Sequence, residues 1–343
     1  MNKKLFINIA LICCIIAFSS CRTQRMFTTL DLLRPAEVTF APGVRNVLIV
    51  NNTVVQPYNV GHLNLSTGAE ETVEFDSAAL FTNASLKESL EDKEFFNSVR
   101  ISQTNLNKTD NFEKISSLQK EDVKFLCNLY NADAVISLDH IQTLDEFGRY
   151  FVDYYIVNAL DIKVISTWSV HYPDNTASTH KQFTDEFSWE SENAQNIPTR
   201  YNALVDACIL TGSNVAERLI PRWEKQDRYF YTPNHPKMQQ AMDSVVTRNW
   251  KSAISLWEEA INSTRKNNTK FKAYNNISIA YEILGDINKA LEFNQKAINL
   301  YPYLATILSS SSGNEIYEII NHNAFLKKRK EEIELIKKQL SEE

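Results

Sequence analysis

Glycine is scarce in this sequence, with only seven glycines among 343 residues. The sequence therefore has few glycines from which a phosphate-binding loop could be built, and no P-loop pattern occurs. The G-x-S-x-G pattern of hydrolases, the H-E-x-x-H pattern of zinc proteases and the C-x-x-C pair of redox proteins are missing as well. We therefore expect no catalytic residues, and the sequence predicts a protein that is not an enzyme.

Positive charge is not in excess either, because 36 lysines and arginines stand against 42 aspartates and glutamates, a net charge of −6. A nucleic-acid-binding protein needs basic residues that replace the counterions of phosphates, so nucleic acid is not an expected partner. The six histidines are scattered without the spacing of a metal site. We expect no metal and no other cofactor.

The N-terminus has the layout of a secretion signal. Two lysines precede an apolar run of about 14 residues, Leu5 to Phe18, and two serines follow. As a helix this run is roughly 21 Å long, too short to cross a bilayer core of about 30 Å comfortably. The residues "FSSC" at 18–21 resemble the lipobox of bacterial lipoproteins, with Phe18 where leucine is usual. The resemblance implies a signal peptide over residues 1–20 and a lipid on Cys21.

A lipid on Cys21 would anchor the protein to a membrane of the bacterial cell envelope. The four residues after Cys21 carry no acidic group, which favours the outer membrane, facing the periplasm. Removal of the signal leaves Cys127 and Cys208 as the remaining thiols. An oxidising compartment permits a disulfide between them, and apolar surroundings favour two buried thiols, so the sequence leaves both states open.

Residues 44–223 predict an α/β periplasmic domain that follows a tether over residues 21–43. The run "VLIV" at 47–50 predicts a buried strand, and residues 76–92 predict a helix. Next come a strand in "FFNSVRIS", a helix in "QKEDVKFLCNLYNA" and a strand in "DAVISLDHIQTL". This βαβαβ order predicts a sheet covered by helices.

An antiparallel hairpin is predicted from the alternation of "IKVISTWSV" and "KQFTDEFSWE" around a turn at residues 173–175. Charges along both strands favour this over a hairpin that crosses a membrane. A helix through "RYNALVDACILTGSNVAERLI" completes the domain. The layout resembles the periplasmic α/β domain shared by the curli-secretion lipoprotein, the Tol-system translocation protein and lipoprotein activators of cell-wall synthases. The resemblance implies a binding domain rather than an enzyme.

The stretch "AYNNISIAYEILGDINKALEFNQKAINLYP", residues 273–302, resembles a tetratricopeptide repeat. A weaker copy, "AMDSVVTRNWKSAISLWEEAIN", precedes it at residues 241–262. Asn294 stands where an aromatic residue is usual. The packing positions that carry the resemblance are Tyr274, Ile277, Ser278, Tyr281, Gly285, Ala290, Ala297 and Pro302 in the main copy, and Ala253, Trp257 and Ala260 in the earlier one.

We therefore predict an α+β N-terminal domain followed by an all-α, tetratricopeptide-like helical domain at 224–309 and a charged helix at 310–343. Arrays of this kind usually need about three repeats to be stable by themselves. We therefore expect these two repeats to pack against the aromatic segment 223–231 and against the C-terminal helix. A concave binding face would include Asn275, Ser278 and Glu282. Whether the repeats bind a partner or only pack stays open.

Two polar pairs stand out in the predicted sheet, Asp139 with His140 and Asp185 with Glu186. Neighbouring residues on a strand point to opposite faces, so Asp139 and His140 cannot converge on one substrate without a bulge. We interpret both pairs as solvent-facing residues at strand ends.

Taken whole, the chain resembles the bacterial envelope lipoproteins that join such an α/β domain to C-terminal tetratricopeptide repeats. The leading hypothesis is a membrane-anchored, non-catalytic adaptor that binds another envelope protein or peptide. A third hypothesis is a hydrolase whose active site matches no known motif, and such a site would need carboxylates that converge on one substrate. The alternative is a small-ligand or glycan-binding lipoprotein whose aromatic sheet residues stack on sugars, namely Tyr150, Tyr154, Tyr155, Trp168 and Trp189.

Overall fold

The computed structural model describes residues 24–107, 109–300 and 311–340. The predicted signal peptide, the predicted lipidation site Cys21 and the predicted repeat stop Pro302 lie outside these residues. Two compact units are present. The α/β unit contains residues 35–222 and the end of the last helix from residue 336, and the helical unit contains residues 24–34 and 223–335. An α/β region followed by several helices confirms the coarse fold class that the sequence predicted.

The described strands are β1 (Gln24–Arg34), β2 (Asn46–Asn51), β3 (His62–Asn64), β4 (Ala69–Glu70), β5 (Ser98–Asn105), β6 (Ala134–Val152), β7 (Tyr155–His171), β8 (Thr179–Ser191) and β9 (Arg222–Thr232). The described helices are α1 (Ala78–Asp92), α2 (Lys120–Tyr130), α3 (Arg200–Leu219), α4 (Pro236–Val246), α5 (Trp250–Ser263), α6 (Asn267–Ile283), α7 (Ile287–Asn299) and α8 (Ser311–Leu340).

The sheet of the α/β unit is built around β2, whose parallel neighbours are β5 on one side and β6 on the other. The chain runs β2, α1, β5, α2, β6, which is the predicted βαβαβ order. β7 and β8 extend the sheet as antiparallel neighbours beyond β6. The short β3 pairs with the second half of β6 and with β4.

Both faces of β2 are covered, which explains its unbroken apolar run. Val47 and Ile49 belong to the main core with α1 and α3, whereas Leu48 and Val50 pack against the apolar side of α2. All four side chains are fully buried. A strand without a solvent face has no reason to alternate apolar and polar residues.

The predicted hairpin is confirmed as β7 and β8, which pair antiparallel from Asn158 and Ser191 to Val170 and Thr179. A second, longer hairpin joins β6 to β7, and its last pair is Val152 with Tyr155. Its turn is made by Asp153 and Tyr154, with Asp153 in the left-handed region at φ 52°. β6 thus runs eight residues beyond the strand predicted from "DAVISLDHIQTL".

Cys127 and Cys208 are both buried free thiols. They lie on α2 and α3, which cover opposite faces of the sheet, so they cannot form a disulfide with each other. Burial raises the pKa of Cys127 to about 11 and that of Cys208 to about 12. Across the described part of the chain, every helix is too short or too polar to cross a membrane.

The helical unit combines α4 to α8 with a two-stranded sheet of β1 and β9. β1 occupies residues 24–34, inside the segment that the sequence suggested as a tether. The side chains of Asn249 and Asp286 accept hydrogen bonds from the backbone N–H groups of Ser252 and Lys289, and so cap the N-termini of α5 and α7. Gly285, at φ 80°, makes the turn before α7 in a conformation that favours glycine.

Candidate functional site

A cavity of about 390 Å³ lies within the helical unit, between β9, α6 and α8. Its volume falls within the range of about 300–1,000 Å³ that is typical of ligand pockets. The residues that line it are Gln226, Asp227, Arg228 and Tyr229 on β9, Asn275 and Ile279 on α6, and Glu318, Asn321, His322 and Phe325 on α8.

β9 is fixed beside the cavity by stacking and by main-chain hydrogen bonds. The buried Phe230 ring lies against Trp250 and Trp257, at centroid distances of 5.8 Å and 5.4 Å. The Asn276 side chain accepts a hydrogen bond from the Tyr231 N–H and donates one to the Tyr231 carbonyl, both at 2.8 Å. Helix α6 therefore holds an extended piece of the protein's own chain through one amide side chain.

The neighbouring Asn275 is different, because its amide nitrogen Nδ2 has no hydrogen-bond partner among the described residues. The residue is only 2% exposed, and it lines the cavity. A buried donor without a partner costs about 1–3 kcal/mol relative to a satisfied one. An acceptor that enters the cavity can satisfy this group.

Two of the lining residues, Arg228 and His322, engage a buried carboxylate, Glu282. Arg228 donates two hydrogen bonds to it, at 2.8 Å and 2.7 Å, and His322 Nε2 donates a third at 2.7 Å. Burial alone would raise the pKa of Glu282, but the hydrogen bonds from His322 and Arg228 outweigh burial and lower the pKa. Glu282 is therefore held ionised beside the cavity.

A carboxylate of the cavity wall itself, Glu318, is paired as well. Arg25 on β1 donates to its two oxygens at 3.2 Å and 3.0 Å, and the Tyr229 hydroxyl donates to it at 2.5 Å. Burial raises the pKa of Tyr229, so the phenol stays protonated and keeps donating. Glu282 and Glu318 thus both face cations or donors of the same unit.

The predicted repeat positions that fall on the described helices pack between those helices, whereas Gly285 lies in the turn before α7. The rings of Tyr274 and Tyr281 both contact Phe293, at centroid distances of 6.2 Å and 5.5 Å. The fully buried members are Ala253, Trp257, Ala260, Ile277, Ser278, Ala290 and Ala297.

The three residues suggested for a concave binding face take different positions. Asn275 lines the cavity. Ser278 is fully buried and donates its hydroxyl to the Ala290 carbonyl at 2.7 Å, so it offers no surface to a ligand. Glu282 is 4% exposed and engaged by Arg228 and His322.

Sequence reasoning missed Arg228, Asn276 and His322. Arg228 lies in "WEKQDRYFY", which was considered only for its aromatic residues. The signal for Asn276 was the pair of adjacent asparagines on a predicted helix, although nothing in a repeat pattern shows which of the two meets a strand.

In the α/β unit, Asp139 is 3% exposed rather than solvent-facing, which corrects the expectation for this residue. It accepts hydrogen bonds from Ser137 at 2.7 Å, from Asn52 at 2.9 Å and from Ser169. A bulge between Leu138 and His140 interrupts the pairing of β6 with β7. His140 pairs with Thr167 beyond that bulge, so the bulge places Asp139 and His140 on the same face of the sheet.

The His140 ring lies tilted against the Phe112 ring, with 4.7 Å between the centroids. Burial lowers the pKa of His140, and the charge of Glu113 partly opposes this shift. Asp185 is also buried, and it accepts hydrogen bonds from Arg218 and Asn214 on α3. Only Glu186, which pairs with Lys163 at 2.9 Å, is exposed as expected. Asp139 and Asp185 therefore serve the interior of the α/β unit.

The aromatic residues considered for sugar stacking divide into two groups. Trp168 is 1% exposed inside the core, and its indole N–H donates to Ser166 at 2.9 Å. Trp189 packs half-buried against the same core. The tyrosines at positions 150, 154 and 155 are exposed at the turn of the β6–β7 hairpin.

A second cavity, of about 240 Å³, lies where β2 and β5 end and the chain leaves for opposite faces of the sheet. Open α/β sheets commonly bind ligands at such a switch point. Here Asn52 donates to the Ser116 carbonyl and Asn107 donates to the Asn52 carbonyl, both at 2.6 Å. These amides hold the loops of the protein together. Within the described ranges, His, Cys, Asp and Glu form no cluster of three or more suited to a metal ion.

Comparison with known families gives two matches, one after the other along the chain. The sequence model of the family described as a domain of unknown function, DUF8603, matches residues 44–231, more than half of the chain. This match runs through β9 and so reaches the strand beside the cavity. A second family, also described as a domain of unknown function, DUF6340, matches residues 239–328. No curated protein matches the chain significantly.

Proposed function

The chain belongs to the family of domains of unknown function DUF8603, and on that premise we propose that it is a lipid-anchored, non-catalytic adaptor of the bacterial envelope. It binds an extended peptide segment of another envelope protein in the cavity of the helical unit. The observation that carries this proposal is Asn275 on the cavity wall, whose buried amide nitrogen has no partner in the part of the chain that the structure describes.

The packing of the helices supports a repeat-type binding unit. Ala253, Ala290 and Ala297 are fully buried, as the small positions of tetratricopeptide repeats are, and they let paired helices approach closely. Repeat proteins of this kind expose concave surfaces that receive peptides or partner helices. In this chain, α6 and α8 provide such a surface together with β9.

An extended peptide is the partner that the helical unit is equipped to hold. The amide oxygen and the amide nitrogen of Asn276 already form hydrogen bonds with the main chain of β9. Asn275, one residue earlier on α6, offers a free amide donor on the cavity side. We infer that Asn275 donates to a carbonyl of the bound peptide.

The charges of the wall support recognition of main chain rather than of a charged ligand. Glu282 is neutralised by Arg228, and Glu318 is neutralised by Arg25. Asp227 accepts a hydrogen bond from the Thr29 hydroxyl at 2.7 Å. A phosphate or carboxylate ligand would have to compete for arginines that are already paired, whereas peptide N–H and C=O groups need no such competition.

The predicted lipid would keep the helical unit beside the membrane. Cys21 lies three residues before Gln24, the first residue of β1, and three residues span at most about 10 Å. We propose an outer-membrane location, facing the periplasm, with the partner in the same compartment. Burial of Trp168 weighs against the alternative of a glycan-binding sheet.

The test compares capture of partners from detergent-solubilised envelope by the wild type and by Asn275→Leu. Because the amide nitrogen has no partner among the described residues, the substitution should leave the free energy of unfolding unchanged or raise it by about 1 kcal/mol. Loss of the hydrogen bond to the peptide should lower affinity for the captured partner by about three- to tenfold. Urea denaturation and titration with peptides from the captured protein measure the two effects.

The matched control is Asn262→Leu, the same change at an exposed position of α5. It should bind as the wild type does. A photo-crosslinker at Asn321, an exposed residue on the cavity wall, should join the same partner. Equal binding by Asn275→Leu and the wild type, together with no crosslink from Asn321, would contradict the proposed site.

A further inference from the structure

The turn of the β6–β7 hairpin carries a cluster of exposed apolar and aromatic side chains, which we term the tip cluster. It runs over residues 150–152 and 154–156. Tyr154 is 94% exposed, Phe151 78% and Tyr155 61%. Val152, Ile156 and Tyr150 are exposed by 53%, 50% and 40%. Such a cluster is costly in water unless something covers it.

The tip cluster covers both faces of the ribbon. Phe151 pairs with Ile156, and Val152 pairs with Tyr155, so successive pairs project to opposite faces. A protein partner that docks on one face would leave the other face in water. A medium that surrounds the end of the ribbon covers both faces at once, and a lipid surface is such a medium.

The residue types fit the boundary of a bilayer. Tyrosine places an apolar ring in the hydrocarbon and a hydroxyl at the headgroups, and it is enriched at membrane interfaces. The tip cluster has three tyrosines, and between its two halves the only charged residue is Asp153, at the turn. This composition favours shallow insertion.

A polar collar sets the depth of insertion. From Tyr150 to the turn the ribbon is three residues long, or about 10 Å, close to the 5–10 Å depth of interfacial elements. Behind Tyr150 lie Arg149, which donates to Asn158 at 3.2 Å, and the exposed Glu146. Asp161 accepts from the Tyr150 hydroxyl at 3.4 Å. The collar has no basic excess, so attachment would be hydrophobic rather than electrostatic.

We propose that the tip cluster inserts into the surface of a phospholipid bilayer and gives the protein a second membrane contact besides its lipid. This goes beyond the proposed partner binding and draws only on the proposed anchor. The α/β unit begins at residue 35, and the 14 residues from Cys21 reach at most roughly 50 Å. The anchor therefore keeps the hairpin at a high local concentration near the membrane.

The test uses the chain from residue 21 onward with Cys21→Ser, which cannot be lipidated, and vesicles of zwitterionic phospholipid. We expect it to sediment with the vesicles equally at about 0.1 M and about 0.5 M salt, because screening does not weaken hydrophobic attachment. Adding Phe151→Ser, Tyr154→Ser and Tyr155→Ser should lower the partition coefficient by at least about tenfold.

The matched control replaces three exposed apolar residues elsewhere in the α/β unit, Leu80→Ser, Phe125→Ser and Leu129→Ser, which are 62–64% exposed. Its partitioning should equal that of the parent chain. Asn275→Leu should also bind vesicles normally, which separates this test from that of partner binding.

Three outcomes overturn the proposal. The parent chain could remain in the supernatant, or the tip variant could sediment as well as the parent. In the third outcome, sedimentation velocity without vesicles shows a dimer that the tip variant abolishes, while no chain binds lipid. That outcome assigns the tip cluster to a second copy of the protein instead.

Discussion

The two units each bury a carboxylate, but they surround it with different groups. Asp139 in the α/β unit is 3% exposed and takes its hydrogen bonds from the neutral side chains of Ser137, Ser169 and Asn52. Glu282 in the helical unit is 4% exposed and is held by the Arg228 guanidinium and the His322 ring. The two carboxylates are thus buried to a similar extent, but neutral donors stabilise Asp139, whereas the Arg228 cation takes part in stabilising Glu282.

This difference separates a carboxylate that only joins elements of the interior from one whose partners Arg228 and His322 line a cavity. Several neutral donors share the stabilisation of Asp139, so each contributes modestly. Glu282 depends on the His322 ring and the Arg228 guanidinium, and the loss of the buried guanidinium leaves the carboxylate without its arginine cation. The pairing with Arg228 also removes net charge from the wall where we propose that a peptide binds.

The largest expected effect comes from Arg228→Leu. Removing the guanidinium leaves Glu282 buried and ionised, which should lower the free energy of unfolding by about 3–5 kcal/mol. Urea denaturation measures the change. Lys237→Leu breaks the exposed pair with Glu259 in the same unit and should cost no more than about 1 kcal/mol. Equal losses from the two substitutions would show that Glu282 does not depend on Arg228.

A smaller effect is expected from Ser169→Ala. Asp139 keeps its bonds from Ser137 and Asn52, so the free energy of unfolding should fall by only about 1–2 kcal/mol. Ser188→Ala, at an exposed position of β8, should change it by less than about 0.5 kcal/mol. A loss from Ser169→Ala as large as that from Arg228→Leu would erase the contrast between the two carboxylates.

The smallest and most specific effect is a pH dependence that belongs to Glu282. Its pKa in the folded protein is lowered, so the unfolded chain binds more protons and stability rises with pH. The contribution is complete above the ordinary pKa of 4.5 and is lost as pH falls from there through the lowered pKa.

Urea denaturation of the wild type and of Glu282→Gln between pH 7 and pH 3 measures this contribution. The wild type should be the more stable protein at neutral pH, and the difference should shrink in acid. A difference that stays constant with pH would show that Glu282 does not gain its stability from ionisation.

Local patterns predicted those parts of the fold that depend on neighbours in sequence. The apolar run Val47 to Val50 predicted a buried strand, and the polar–apolar alternation in "KQFTDEFSWE" predicted β8. The sequence analysis missed β1 because its partner β9 lies about 200 residues later in the chain. The stretch "QRMFTTLDLLR" also shows no regular alternation of polar and apolar residues that would predict a strand. The bulge at Asp139 was missed for a related reason, since only the register with β7 creates it.

The candidate site was predictable only in part. The repeat pattern pointed to α6 and so to Asn275 and Glu282. It could not show that β9 occupies the surface beside them, because β9 lies outside the repeats. The sequence analysis assigned Ser278 to the same face, although its hydroxyl donates a hydrogen bond to the Ala290 carbonyl between two helices.

The pairing of β1 with β9 has a consequence for the order in which the protein folds. Arg34 and Glu224 meet at 3.1 Å although 190 residues separate them, so the first and last thirds of the chain build one unit. During synthesis, β1 must wait without its partner strand until residue 222 has followed. A truncated chain would expose β1 as an open strand edge. Such an edge distinguishes an incomplete copy of this protein from a complete one, in which β9 covers it.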